Sequence, residues 1–486
     1  MNVNIQLNPK LVVSIIYVIA MFMAAMDGTI VNVALPTISK EFQISPSSTG
    51  GINVGYLVSL AVFLPIAGWL GDRWGTKKIF LIALSIFTIS SVLCGLANNL
   101  HSLNLFRICQ GAGGGLLTPV GMAMLYRTFS PEERPKIART LILPIAVAPA
   151  LGPILGGFLV EQFSWPWVFY INLPFGILAL LFGLIFLVEY REPKAGRLDL
   201  LGFLLSAPGL SMVMYALNQG PITGWISPSI LIIGGSGLIL LSCFILVELR
   251  VSKPMLDLRL LSDRLFRTMS IISLLSAAGL LGILYVFPLM YQNALKASAL
   301  ESGLITFPEA LGLIVASRMM PWSSKKLGVH RVIMIGLLGA AIMLLFLSMI
   351  GSETNPWIIR VLLFSIGFFL GHAVVSVQAT IFNNINSASM GQATTLFNVQ
   401  NRIGSAVGIA ILASLLKAFG IGSTDTHRMT DFQLIPYQFA LIGSASFLLG
   451  GLFFTLFIRT TDITNPKANQ STNKPSHIAR SAKVGN

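Results

Sequence analysis

Long apolar runs alternate with short polar segments along nearly the whole chain. Fourteen of these runs reach the roughly 20 mostly apolar residues that a helix needs to cross a bilayer. The pattern therefore predicts an all-α integral membrane protein. The predicted spans cover 11–36, 49–71, 78–98, 102–126, 138–161, 167–188, 198–218, 228–249, 266–292, 300–321, 331–350, 356–382, 394–417 and 433–458.

Composition supports a membrane location and excludes most soluble enzymes. Of the 486 residues, 54% are hydrophobic and only 10% are charged, against about 25% charged residues in a soluble domain. The mean hydropathy is +0.80. The three cysteines lie in apolar runs and form no CxxC pattern, so we predict neither a disulfide framework nor a metal site nor another cofactor.

The basic residues indicate how the chain lies in the membrane. The net charge is +14, and 25 of the 32 Lys and Arg residues fall in loops or at span ends on the side of the N-terminus, against 4 on the other side. This bias predicts a multi-pass protein of the cytoplasmic (inner) membrane with both termini in the cytoplasm. It also argues against nucleic-acid binding, because the positive charge is spread along one membrane face. The N-terminal run, preceded only by Lys10, is interpreted as a retained signal anchor.

Two landmarks suggest an internal repeat. Gly75 and Gly328 lie 253 residues apart in similar loops, and Arg107 and Arg360 are separated by the same distance along the chain. Parallel repeats are typical of transporters, so we expect two six-helix halves with spans 7 and 8 inserted between them. The expected domains are an N-terminal half over 1–188, a linker with the two extra helices over 189–265, a C-terminal half over 266–460 and a disordered cytoplasmic tail over 461–486.

Three charged residues within the spans are candidates for proton coupling. A charge inside the membrane costs roughly 2.5–3.5 kcal/mol on insertion scales, and Asp27 and Glu309 are the acids placed there. Asp27 and Arg107 can meet in the outer half of a central cavity, either as a permanent ion pair or as a proton switch in which the partner of the carboxylate changes between conformations. Glu309 follows Pro308 and can carry a proton, bind a cationic substrate or be satisfied at a helix interface.

Other polar residues within the spans are candidates for lining a cavity. Span 13 carries a polar run at 398–402, and a histidine in span 12 can titrate near neutral pH or serve as a hydrogen-bonded core residue. The candidate cavity residues are Gln110, His372, Asn398 and Arg402.

Span 5 is rich in proline and glycine. Small residues four apart permit close helix packing, and proline permits bending because it removes a backbone donor. The helix is therefore either a closely packed structural element or a pliable seal between the two halves. Its candidate residues are Pro149, Gly152, Pro153, Gly156 and Gly157.

Five motifs together resemble the major facilitator superfamily, and within it the fourteen-span drug:proton antiporter family. They are the segment from Asp27 to Pro36, the loop from Gly68 to Lys78, the segment from Arg107 to Gly111, the segment from Gly152 to Gly157 and the segment from Trp165 to Pro174. The resemblance covers about 10–460 and implies the major facilitator fold.

The resemblance also implies roles for several residues. The arginine of the span-4 motif is linked to proton coupling, and the span-5 motif is associated with exporters. Three positions depart from the family pattern: Ala148 opens the span-5 motif, Pro166 stands where an Arg is common, and Lys325 replaces the counterpart of Asp72. The residues expected to latch the two halves are Gly68, Asp72, Arg73, Gly75, Lys77 and Lys78.

We therefore expect a proton-coupled efflux transporter that exports amphipathic or cationic drugs and related compounds by alternating access. The alternative is a dedicated proton-coupled exporter of one native metabolite, such as a siderophore, peptide or amino acid. An enzyme is not expected, since no catalytic constellation stands out among the spans. The expected partners are a small-molecule substrate, protons, the lipid bilayer and, in a source with an outer membrane, a periplasmic adaptor.

Overall fold

A computed structural model describes residues 8–44, 50–192, 196, 198–251, 254–297, 299–419 and 434–458. These residues form sixteen α-helices and no strand. The expected tail over 461–486 lies outside them. The helices are α1 (Pro9–Glu41), α2 (Gly50–Phe63), α3 (Ala67–Trp74), α4 (Thr76–Gly95), α5 (Leu100–Thr128), α6 (Arg134–Gln162), α7 (Trp167–Tyr170), α8 (Asn172–Phe186), α9 (Leu200–Thr223), α10 (Pro228–Arg250), α11 (Arg264–Leu289), α12 (Ala299–Leu327), α13 (Val329–Leu347), α14 (Pro356–Thr380), α15 (Met390–Ala418) and α16 (Ile435–Thr455).

With α2–α3 and α7–α8 each counted as one span, the sixteen helices correspond to the fourteen predicted spans. Within the described residues, twelve spans are long and apolar enough to cross a membrane, with α7 and α8 counted as one, and the pair α2–α3 adds a thirteenth that is bent by 52°. The 29-residue α6 occupies the place of the fifth predicted span. The predicted all-α fourteen-span fold is thereby confirmed. Observed bounds differ by a few residues; for example, α1 continues through Pro36 to Glu41.

The two sets of six spans pack in the same way. In the first set, α1 packs against α6 and α8, and α5 packs against α2 and α4. In the second set, α11 packs against α15 and α16, and α14 packs against α12 and α13. Each contact in one set has its counterpart at the equivalent span of the other, which is the arrangement that a parallel repeat predicts.

The loop glycines that suggested the repeat share a backbone conformation. Gly75, between α3 and α4, has φ +105°, and Gly328, between α12 and α13, has φ +81°. Positive φ is strained for residues with a side chain. Both loops lie at the face of the bundle where α1 begins, which we call the N-terminal face.

The two six-helix sets meet along two seams. On one side α6 packs against α12 and α14, and on the other α15 packs against α3 and α5. Of the inserted pair, α9 packs against both α2 and α15, so it covers the second seam. Along α10, large apolar side chains such as Leu231, Ile232 and Ile239 are exposed, as expected for a helix that faces lipid.

Candidate transport site

A buried polar network joins α1, α5 and α8 inside the N-terminal set of helices. Arg107 Nη1 donates hydrogen bonds to Asp27 Oδ2 at 2.5 Å and to Gln110 Oε1 at 2.8 Å. Gln110 Nε2 donates to Asp27 Oδ1 at 2.8 Å, and Asn172 Nδ2 approaches the same oxygen at 3.4 Å. All four side chains are fully buried, so the carboxylate and the guanidinium satisfy each other at short range in a dry environment.

Aromatic rings cover the guanidinium of Arg107. The Tyr56 ring centroid lies 4.2 Å from Arg107 Cζ, and the Phe169 centroid lies 5.8 Å from it. Such cation–π contacts are worth about 2 kcal/mol or more when the groups are desolvated. Arg107 Nε has no hydrogen-bond partner among the described residues. The network therefore stabilises Arg107 chiefly through Asp27 and these rings.

A central cavity of about 250 Å³ lies between the two helix sets. Its apolar wall includes Tyr17 and Met21 of α1 and Leu280 of α11, and its polar wall is formed largely by α15. Asp27 is absent from the lining, although Ala24 and Ala25 one turn earlier belong to it. The carboxylate of Asp27 is thus turned into its own helix set, away from the cavity in which the sequence placed it.

The candidate cavity residues divide into two groups. Asn398 and Arg402 line the cavity. Gln110 instead belongs to the Asp27 network. His372 lies between α12 and α14, where Nε2 is 3.2 Å from Ser323 Oγ and Nδ1 is 2.9 Å from the Phe368 carbonyl oxygen. The periodicity of a helix does not say which neighbour each face meets, which is why the sequence did not separate these cases.

Sequence reasoning missed several residues of the network and the cavity. Asn172 and Tyr56 contact the Asp27–Arg107 pair, and Gln378 lines the cavity. The signal that was available for Asn172 and Gln378 is their position as amides within apolar spans, where polar groups are expensive and have a structural or functional reason.

Glu309 lies at the packed interface between α12 and α14. Its side chain is buried, and neither carboxylate oxygen has a hydrogen-bond partner among the described residues. The helices are very close there, because a Cβ atom added to Gly367 would collide with the Glu309 carbonyl oxygen. Glu309 is also absent from the cavity lining, so in this conformation it contacts no substrate there.

Several latch candidates lie where the two sets meet at the N-terminal face. Arg127 Nη2 donates to Asp72 Oδ1 at 2.7 Å. A Cβ atom added to Gly391, at the start of α15, would lie 2.6 Å from the same carboxylate oxygen, and one added to Gly68 would lie 2.6 Å from the Gly391 carbonyl oxygen. Asp72 therefore sits at the positive end of the α15 dipole, a favourable place for an anion.

The remaining latch candidates organise the loop itself. A carboxylate oxygen of Glu189 accepts a hydrogen bond from the Lys77 backbone N–H at 2.9 Å, and the other accepts one from Lys78 at 3.2 Å. A Cβ atom on Gly75 would collide with the Glu189 carboxyl group, so a glycine is needed for this contact as well as for its φ. Arg73 is exposed at the end of α3.

Hydrogen bonds across the two sets close the N-terminal face. Tyr126 Oη donates to the Gln378 carbonyl oxygen at 2.5 Å, and Arg134 Nη1 donates to Asn383 Oδ1 at 2.9 Å. Arg127 Nε also donates to the Ser387 carbonyl oxygen at 3.2 Å. The loop over 383–389 contains neither Lys nor Arg, and it accepts hydrogen bonds from two arginines of the other set.

The glycines of α6 pack against α1 within one helix set. A Cβ atom on Gly152 would collide with Thr29 Oγ1, and one on Gly156 would lie 3.0 Å from the Ile30 carbonyl oxygen. Gly157 has no atom within 4 Å of such a Cβ position. The close packing therefore holds α6 beside the turn of α1 that follows Asp27. The side chains of Pro149 and Pro153 lie outside the described part of the chain.

We expect Gly152→Ala to destabilise the protein and Gly157→Ala to leave its stability unchanged or slightly raised. At Gly152 the new methyl group must displace Thr29 or separate α1 from α6, whereas an unhindered helical alanine gains roughly 0.5–1 kcal/mol over glycine. Thermal unfolding of the two purified variants in the same detergent tests this. Equal unfolding temperatures would contradict the packing assigned to Gly152.

Comparisons with known proteins agree with this architecture. The sequence profile described as Major Facilitator Superfamily matches residues 17–409 and, in a second match, 269–483. The chain is 29% identical over 403 residues to the "Multidrug resistance protein B homolog" of Mycobacterium tuberculosis (strain H37Rv), covering 82% of this chain and 75% of that protein. It is 30% identical to the "Multidrug transporter protein MdtP" of Bacillus subtilis (strain 168), covering 88% and 78%.

Two further similarities concern a bacterial relative and a solved structure. The chain is 30% identical to the "Putative multidrug resistance protein MdtD" of Escherichia coli (strain UTI89), covering 86% of this chain and 90% of that protein. The crystal structure of the human organic anion transporter MFSD10 (TETRAN) superimposes with a TM-score of 0.64 at 14% identity, covering 92% of this chain and all of that one. This last similarity shows the fold alone.

The family profile extends over most of the chain, and the fourteen spans, the paired helix sets and the central cavity all agree with it. The family resemblance that the sequence motifs indicated is confirmed, and the chain belongs to the Major Facilitator Superfamily.

Proposed function

We propose that the protein is a proton-driven exporter of amphipathic compounds that works by alternating access. The observation that carries this proposal is the fully buried Asp27–Arg107 pair, beside but not within the central cavity. Its multidrug-named relatives support a role in efflux. No ATP-binding motif is present in the sequence, so an ion gradient is the expected energy source.

Asp27 is assigned the coupling proton. Binding of a proton to its carboxylate removes the charge that Arg107 contacts at 2.5 Å. The guanidinium then loses its principal partner in a buried environment, and a conformation with other partners for Arg107 becomes favoured. Proton binding thus shifts the population of the two cavity orientations, which is the requirement for coupling.

The orientation of the chain determines which state the structure represents. With the N-terminal face in the cytoplasm, as the distribution of basic residues predicts, the hydrogen bonds of Tyr126, Arg127 and Arg134 close the cavity to the cytoplasm. In this state α9 also covers one seam. We assign the structure to a conformation that cannot accept substrate from the cytoplasm.

Transport by the purified protein in liposomes tests the function. An imposed pH gradient would be the sole energy source, and three amphipathic fluorescent dyes that are cationic, neutral and anionic would be compared with and without an uncoupler. We expect uncoupler-sensitive movement of at least one dye against its gradient. Movement that ignores the pH gradient would exclude proton coupling, and no movement by folded protein would favour the exporter of a single metabolite.

Glu309 is proposed as a second proton-binding group. It is buried without a hydrogen-bond partner among the described residues, and an ionised carboxylate in such a place is costly. We expect Glu309→Gln to retain substrate exchange, which needs no net proton movement, while losing most of the transport driven by a pH gradient. Both activities are measured in the same liposomes, and equal loss of the two would assign Glu309 a structural role instead.

A further inference from the structure

Arg402 is the charged residue among the twenty that line the central cavity. It lies twelve residues after Met390, the first residue of α15, so at 1.5 Å per residue it is about 18 Å along a 29-residue helix. This position is close to the middle of the span. An arginine at such a depth is expensive and marks a functional site by default.

The described part of the protein supplies no counter-ion for this guanidinium. Its four ion pairs use other basic residues, and the cavity lining contains no Asp or Glu. Arg402 is exposed although it lies within a membrane helix, and it lines the cavity, which makes its guanidinium available to a solute there. Arg107, by contrast, is fully buried and paired with Asp27.

The polar neighbours of Arg402 are already engaged with the protein. Asn398 Nδ2 donates to the Thr394 carbonyl oxygen at 2.8 Å. Asn401 Nδ2 donates to the Phe397 carbonyl oxygen at 2.9 Å, while its Oδ1 accepts a hydrogen bond from Ser273 Oγ at 2.9 Å. These amides therefore shape the wall, and the guanidinium offers the cavity the strongest donors for an incoming solute, up to five N–H groups in a planar fork.

The rest of the wall suits an apolar body. Tyr17, Met21, Leu141, Leu280 and Val374 line the cavity, and such side chains bind aromatic or aliphatic groups without a specific geometry. The cavity volume of about 250 Å³ lies just below the usual range of about 300–1,000 Å³ for small-molecule sites. A compact amphipathic molecule fits these dimensions.

We propose that Arg402 makes the central cavity selective for amphipathic anions, whose carboxylate or similar acidic group pairs with the guanidinium while the apolar body contacts α1, α11 and α14. This inference rests on the proposed function, because it names the substrate class of the same cavity. An anion site differs from the cationic drugs that the sequence predicts as substrates, because neither Asp27 nor Glu309 lines the cavity.

The cavity arginine also lies near the proposed coupling site. Ala24 and Ala25, which precede Asp27 on α1 by three and two residues, line the same cavity as Arg402. An anion bound at Arg402 neutralises a positive charge on the cavity side of the Asp27–Arg107 pair. Substrate and proton can thus influence one another through charge, without direct contact between them.

Equilibrium binding to the purified protein in lipid nanodiscs tests the proposal. The probes are 1-naphthaleneacetate and 1-naphthaleneacetamide, which have nearly the same size but differ in charge, and affinities are measured by calorimetry. A hydrogen-bonded charged group contributes about 1.5–3 kcal/mol, so we expect the carboxylate to bind roughly 10- to 100-fold more tightly than the amide. Arg402→Gln should remove this preference, chiefly by weakening the binding of the carboxylate.

Two further variants keep the test decisive. Arg402→Lys retains the charge but not the planar fork, so part of the preference should remain. Arg360→Gln removes an equivalent charge from α14, where Arg360 stacks on Trp357 at 4.7 Å outside the cavity lining, and should leave the preference intact. If Arg402→Gln binds neither probe, the Arg402→Lys variant decides. A weaker preference of that variant for the carboxylate over the amide supports the proposal, and the full wild-type preference overturns it.

The proposal is overturned if the wild-type protein binds the carboxylate no more tightly than the amide, or if Arg402→Gln retains the full preference. Binding needs no pH gradient, so a failure of proton coupling leaves this result unaffected. Conversely, proton-driven transport of a cationic dye without any preference for the carboxylate would support the proposed function and reject the anion site.

Discussion

Asp27→Asn is expected to reduce proton-driven transport to the background of empty liposomes. The amide cannot carry the coupling proton, and it leaves Arg107 without the carboxylate that contacts it at 2.5 Å. Breaking a buried ion pair from one side costs about 3–5 kcal/mol, so the variant should also unfold at a lower temperature. Transport under an imposed pH gradient and thermal unfolding are measured on the same preparation.

The double variant Asp27→Asn/Arg107→Gln separates coupling from folding. It removes both charges together, so no unpaired ion remains, and much of the lost stability should return. Proton-driven transport should stay absent, because the proton-binding group is still missing. Transport that recovers along with stability would show that the pair only holds the helices together, and proton-linked transport in Asp27→Asn alone would reject the role of Asp27.

Gly68→Val is expected to block closure of the N-terminal face and thereby to arrest transport. Any side chain at this position begins with a Cβ atom 2.6 Å from the Gly391 carbonyl oxygen and equally close to Thr395 Oγ1. Overpacking of this kind costs typically about 1–3 kcal/mol, which shifts the balance between the two cavity orientations by about 5- to 150-fold. The closed state described above would lose population.

The same helix offers a matched control for this variant. A Cβ atom on Gly71 would meet no atom closer than 3.5 Å, so Gly71→Ala should transport normally. The populations can be compared by spin-label distances between Lys136→Cys and Ala388→Cys, two exposed positions on opposite helix sets, in a protein without its three native cysteines. Longer distances are expected for Gly68→Val alone. The same distance distribution in both glycine variants would exclude the latch contact assigned to Gly68.

Much of the architecture could be predicted from the sequence, because the lipid bilayer restricts the structures that can cross it. A bilayer requires each span to satisfy its own backbone hydrogen bonds and to present about 20 apolar residues, so span number follows from composition along the chain. Gly75 and Gly328 both adopt positive φ, a conformation that favours glycine. For this reason a glycine occurs at the same position of both loops, and the repeat can be recognised in the sequence. The family motifs likewise indicated the superfamily that the profile comparison identified.

The candidate site was only partly predictable. The high cost of intramembrane charge drew attention to Asp27, Arg107, Glu309 and Arg402, whatever their surroundings. Their surroundings nevertheless differ: Asp27 and Arg107 pair in a closed network, Glu309 is buried without a partner among the described residues, and Arg402 faces the cavity.

The sequence by itself thus determined the fourteen spans, the repeated landmarks and the set of charged residues worth attention, because these depend on local hydrophobicity and spacing. Tertiary structure alone decided which charged residues form pairs, which face the cavity and at which glycines two helices pack closely. Those outcomes depend on how each helix is rotated against its neighbours. That rotation is set by contacts between residues far apart in the chain, such as Gly68 with Gly391 and Gly152 with Thr29.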